Sequence, residues 1–141
     1  MFVDSRDQAR QFFFVVWEKL SRGEVLSALE AVLADVIRAH PEYHRALGVG
    51  EGGLERNYGP DDSNPFLHMG LHVALIEQLQ TDRPPGIVAT YRQLVVQDNH
   101  DVHGLEHRLI EILAAVLWAA NQHGVMPDEQ DYLARVRALL R

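Results

Sequence analysis

Asn64-Pro-Phe-Leu-His-Met-Gly-Leu-His-Val-Ala-Leu-Ile-Glu-Gln-Leu-Gln80 is the stretch that decides how this chain folds. Asn64 has the short, oxygen-bearing side chain of a helix N-cap, and Pro65 suits the first helical position, where a missing N–H is no loss. Apolar residues then dominate from Phe66 onward, and the segment reads as a helix through Gln80. The turn-forming run Thr81-Asp-Arg-Pro-Pro-Gly86 ends it. His68 and His72 lie four residues apart on this helix and share a face with Leu75 and Ile76, the direction that looks toward a core. That spacing brings two imidazoles to one side of a helix, with Cβ atoms roughly 5–6 Å apart.

Outward from this segment the chain repeats the pattern of apolar helix and Gly/Pro break. A first helix is expected from Ser5 or Asp7 to Leu20, with Ser5 as its cap and Gly23 beyond its end. A second runs from Glu24 to Ala39, with Leu26, Leu29, Val32, Leu33, Val36 and Ile37 as its apolar stripe. Pro41 cannot continue that helix, because its ring would clash with the carbonyl of Ile37. It fits instead as the start of a short turn to Leu47. Gly48 to Asn64 reads as a loop. Helices follow from Pro85 to Gln97, from a cap at Asn99 or Asp101 to Gln122, and from Asp128 to Leu140. Strand-like alternation is absent from the sequence. The expected fold is all-α, a helical bundle of about five to six helices with a four-helix-bundle-like core.

Length and composition narrow the function. The 141 residues, 47% of them hydrophobic, suit a single helical domain, 1–141, with a packed core. Thirteen Lys+Arg against twenty Asp+Glu give a formal net charge of −7, without the basic excess of a duplex-binding protein, so no nucleic-acid partner is expected. The absence of cysteine removes disulfides, thiolate zinc sites, iron–sulfur clusters and cysteine nucleophiles. The apolar run Phe12–Trp17 is far shorter than the roughly 20 residues of a membrane span, so no membrane partner is expected either. With no basic-then-apolar leader at the N-terminus, a cytoplasmic location is expected. Phe12, Phe13, Phe14, Val16, Trp17 and Leu20 cover more than one helical face, which makes this aromatic first helix a candidate homodimer contact. Protease, nucleophile-elbow and phosphate-loop motifs are missing, so the sequence names neither reaction nor small-molecule substrate.

The histidines carry the remaining signal. Six of the eight form His-x-x-x-His pairs, His40/His44, His68/His72 and His103/His107. Random placement would give about 0.4 such pairs. Pro41 takes His40 and His44 off any common helix. His103, His107 and Glu111 fall at i, i+4 and i+8, drifting only about 80° in total. Two facing helices could thus bring four imidazoles and a carboxylate to one point, as bundle cores do when they hold metal. The expected metal ligands are His68, His72, His103 and His107, with Glu111 as a further ligand or orienting group. His40, His44, Glu77 and Glu106 are expected as supporting residues that orient the ligands. A nitrogen–oxygen set suits a divalent transition metal, zinc, iron, nickel or manganese. The alternative is a non-catalytic interaction protein whose histidines form a buried hydrogen-bond network.

Several segments also carry a resemblance. Arg6-Asp-Gln-Ala-Arg-Gln-Phe-Phe13, His40-Pro-Glu-Tyr-His44, Asn64-Pro-Phe-Leu-His-Met-Gly-Leu-His72, and Glu106-His107 with Glu111 resemble a bacterial family catalogued as a domain of unknown function, number 1841. The resemblance covers nearly the whole chain and implies a small intracellular bacterial protein. It implies no activity. His107-x-x-x-Glu111 and His72-x-x-x-x-Glu77 are also similar to fragments of the hemerythrin-like ligand set, but in a different order.

Overall fold

The capping box at Ser27 sets where the second helix begins, and the first departure from the sequence expectation lies there. The computed structural model describes residues 6–48 and 64–141. It is all-α, and among the described residues there are seven α-helices and no strand. These are α1 (Arg6–Arg22), α2 (Ala28–Arg38), α3 (His44–Gly48), α4 (Pro65–Thr81), α5 (Ile87–Gln97), α6 (Val102–His123) and α7 (Glu129–Arg137), with a 3-10 turn at Pro41–Tyr43. The count exceeds the expected five to six because the short segment after Pro41 closes into a helix of its own. The expected Ser5 cap, and all but the ends of the loop expected from Gly48 to Asn64, lie outside the described residues. The chain divides into two compact units, Met1–Val73 and Ala74–Arg141, and the boundary falls within α4.

In the first unit, α2 starts at Ala28, four residues later than the expected Glu24. Ser27 Oγ accepts the Glu30 backbone N–H at 3.2 Å, and Glu30 Oε1 accepts the Ser27 N–H at 2.8 Å. This reciprocal box satisfies two donors that no helical carbonyl can reach. Glu30 Oε2 also meets Lys19 Nζ at 2.7 Å, which ties the last turn of α1 to the first turn of α2. Phe13, Phe14 and Val16 of α1, Leu33, Ala34 and Ile37 of α2, Leu47 of α3 and Phe66 and Met69 of α4 are all buried. Part of the aromatic first helix is therefore used within the chain: Phe14 and Phe13 close on Phe66 with ring centroids 5.5 and 6.5 Å away. Asn64 Oδ1 accepts the N–H groups of Phe66 and Leu67, so the cap expected for α4 is formed.

The second unit packs α5, α6 and α7 with the end of α4. Asp82 accepts the N–H groups of Gly86 and Val88 ahead of α5. Asp101 caps α6 through Gly104 N–H, and α6 ends at Gly124, whose φ of 62° is the left-handed conformation that glycine adopts freely. Asp128 caps α7 through Gln130 and Asp131. The buried Tyr132 donates its O–H to Gln78 Oε1 at 2.7 Å. Gln97 bonds both the Leu139 carbonyl and the Arg141 N–H, fixing the chain end. Asp98 and Arg108 form an ion pair between the end of α5 and α6. No helix among the described residues is long and apolar enough to cross a membrane.

Lys19 and the Ser27 N–H hold the Glu30 carboxyl below its ordinary value. A carboxylate with a depressed folded-state pKa stabilises above its unfolded value, and that stabilisation is lost as pH falls through the folded value. Replacing Glu30 by Gln should therefore lower the melting temperature at pH 7, with the difference from wild type shrinking on acidification below about pH 4. Ser27→Ala should cost about 1 kcal/mol at either pH. Thermal denaturation of both variants across this range checks the assignment.

Candidate metal centre

His40 sits two residues beyond the end of α2, in a non-helical conformation (φ −126°, ψ 64°), immediately before Pro41 starts the 3-10 turn. Its side chain folds back on the helix it has just left. Nδ1 lies 2.7 Å from the Val36 carbonyl oxygen. A carbonyl only accepts, so Nδ1 carries the proton and Nε2 carries the lone pair. His40 is 4% exposed. This bond satisfies an end-of-helix carbonyl and at the same time fixes the tautomer and orientation of the ring, the arrangement usual for a metal-ligating imidazole.

On α4, His68 and His72 lie on one side as their spacing requires, with their Nε2 atoms 3.1 Å apart. His72 is buried and His68 half-buried. The three rings form a triangle: centroids are 4.6 Å apart for His40 and His72, 5.0 Å for His40 and His68, and 4.8 Å for His68 and His72. The ligand nitrogens of His40, His68 and His72 all lie within 4.8 Å of one another. Two nitrogens 3.1 Å apart, each about 2.05 Å from a shared metal, would subtend about 98° there. That lies between the octahedral and tetrahedral angles. In the metal-free arrangement one Nε2–H donates to the other ring's lone pair. A metal would take both lone pairs, so one of the two rings would have to change tautomer.

Tyr43 frames this triangle. Its ring stacks on His40 at 5.5 Å with an interplanar angle of 8°, and meets His68 edge-on at 5.8 Å. The 3-10 turn that Pro41 begins is what carries the tyrosine there. His44, one residue further on, does something else. Its Nε2 donates to the Ile37 carbonyl at 2.8 Å and its ring packs 4.8 Å from the Trp17 indole. It therefore anchors α3 to the end of α2 and to α1.

The remaining expected residues belong to the second unit. His103 and His107 are neighbours on α6, with centroids 4.3 Å apart, and His107 Nδ1 donates to the His103 carbonyl at 2.8 Å. Glu111 is exposed one turn further on. Glu106 is half-buried. Burial pushes its carboxyl above the ordinary value, against the opposing influence of His107, His103 and the Tyr91 O–H that bonds it. The Tyr91 phenol is raised in turn, by burial and then by Glu106. Glu77 is half-buried on α4 and its backbone carbonyl accepts the Thr81 hydroxyl. The first unit thus joins the pair His68/His72 with His40, a residue that the sequence marks only as support. Pro41 hid it. The proline rules out a helical His40/His44 pair, but the turn it forces is what brings His40 and Tyr43 to the face of α4.

The fold and this cluster define the class: an all-α protein with three imidazoles gathered at the end of α2 and the start of α4. A family model described as a domain of unknown function, DUF1841, matches residues 5–138, and the chain belongs to that family. Neither a curated protein nor a solved structure matches it.

The tautomer assignment can be measured directly. Nitrogen-15 correlation spectra of metal-free protein should show the His40 Nδ1 protonated and hydrogen-bonded. A ring protonated on Nε2 alone would break the geometry proposed for this residue.

Proposed function

We propose that this protein binds a divalent transition metal, zinc, iron, nickel or manganese, through His40, His68 and His72. The observation that carries the reading is the convergence of three ring nitrogens within 4.8 Å, one of them on a ring whose Nδ1–H is already tied to a backbone carbonyl. Neutral nitrogen donors without thiolate suit these borderline and harder divalent ions better than copper(I). His103, His107 and Glu111 stay in the proposed ligand set on the strength of their sequence spacing. Tyr43 packs against two of the rings, and the Val36 carbonyl is the hydrogen-bonded partner that orients His40.

A second reading has its own support. The His68–His72 contact and the His40–Val36 bond form a hydrogen-bonded set that needs no metal. In that case the protein is a non-catalytic interaction module, dimeric through its aromatic first helix, and the histidines pin α2 to α4.

One titration separates the two. Protein purified without a nickel column should take up about one equivalent of zinc or cobalt(II), with metal binding raising its melting temperature. His72→Ala and His40→Ala should lose that uptake, whereas His44→Ala should keep it at lower stability. His107→Ala reports whether the α6 histidine contributes. Negligible uptake by the wild type, with His72→Ala destabilising the metal-free protein, would decide for the hydrogen-bonded module.

A further inference from the structure

The second half of α6 carries no charge. From Ile112 to Gln122 there is neither an acidic nor a basic residue, in a chain whose formal net charge is −7. Leu113, Val116 and Ala120 form the buried side of this stretch. Trp118 lies about 140–160° around the helix from each of them, and its side chain accordingly projects into solvent, 66% exposed. Ala115, Trp118, Ala119 and Gln122 follow the i, i+3, i+4, i+7 spacing of a single helical face. A large aromatic between two small residues is a surface that another helix can approach closely.

A hollow of about 150 Å³ opens beside this face where α6 ends. Its walls include Val116, Ala119, Val125 and Met126, with Asp128 and Asp131 also on the lining. An apolar cavity of about that size takes up a benzene ring. A buried indole also needs an acceptor for its N–H, and the two carboxylates offer one. Asp128 caps α7 and Asp131 pairs with Arg135, bonds that still leave each carboxylate lone pairs to share.

Projection and hollow thus sit on the same end of the same helix. Recognition of a second copy about a twofold axis requires this arrangement, since each copy must present both halves of the contact. The polar residues agree with it. Asn121 and Gln122 carry amides that donate and accept, so each is matched by its own counterpart. A partner of opposite charge would find nothing on Ile112–Gln122 to steer it, whereas two acidic chains can meet there without adding repulsion.

We propose that α6 packs antiparallel on α6 of a second copy, with Trp118 of each seated in the hollow of the other. The contact is separate from the metal reading and from α1, whose Phe13 and Phe14 are buried against Phe66. It is also small. Ten residues from Ala115 to Met126 are exposed or half-buried, against roughly 20–30 a side in a standard interface. The dimer is therefore weak, with a dissociation constant on the order of 100 µM.

Sedimentation velocity of the full chain from about 5 to about 500 µM brackets that constant. The wild type should pass from monomer to dimer and no further. Trp118→Ala and Ala115→Glu should each raise the dissociation constant at least about tenfold, while the melting temperature of the dilute protein stays the same. In Trp17→Phe, which leaves Trp118 as the only tryptophan, emission should move to shorter wavelength as the dimer forms. A chain that stays monomeric throughout would overturn the inference, as would Trp118 emission that ignores concentration. Assembly beyond the dimer would also contradict it, because an isologous contact closes on itself. Dimers that survive both α6 substitutions would place the contact elsewhere and overturn it too.

Discussion

Imidazoles buried side by side compete for few hydrogen-bonding groups, and the contacts that His40, His68 and His72 make organise the first unit of this protein. An unsatisfied polar group in a packed interior costs about 1–3 kcal/mol, so the nitrogens of His40, His68 and His72 constrain the chain as firmly as its apolar contacts do. His40 Nδ1 returns to the last turn of the helix it has left, where carbonyls lack helical donors. His68 and His72 bond to each other. The same geometry is compatible with a hydrogen-bonded pin or with the metal centre proposed above.

The aromatic packing beneath the cluster follows from the same placement. Phe66 opens α4 two residues before His68, and Phe13 and Phe14 of α1 close on it. Arg10, 1% exposed, lies with its guanidinium 4.9 Å from the centre of the same ring, a cation–π contact in the interior of the unit. The capping box at Ser27 and the Lys19–Glu30 pair set the start of α2, and with it the point where the helix ends and His40 departs. Ser27, Phe66 and Pro41 thus fix the cluster from three separate places in the chain.

How much of this could be read from the sequence depends on how local each feature is. The helix α4 and the convergence of His68 with His72 were legible because both depend on residues three and four apart. The cap at Asn64 was legible for the same reason, as was Asp101, one of the two capping residues expected for α6. The late start of α2 was written in Ser27-x-x-Glu30, but the apolar stripe from Leu26 onward masked that signal. His40 was not legible as a member of the cluster, since its position depends on a backward turn and on a ring reaching a carbonyl four residues earlier. His44 looked equivalent to it in spacing, yet the three residues of 3-10 geometry between them send it to Trp17 and Ile37 instead. Glu106 and Tyr91 were legible only in part, because their contact joins α5 to α6 across fifteen residues of sequence.

The most direct measurement is an anomalous-scattering map of crystals grown with zinc or cobalt(II). The account predicts one strong peak about 2.1 Å from Nε2 of His40, His68 and His72, with the Nε2–Nε2 hydrogen bond replaced by two metal bonds. A saturating soak that leaves this position empty, with His68 and His72 still hydrogen-bonded to each other, would contradict it.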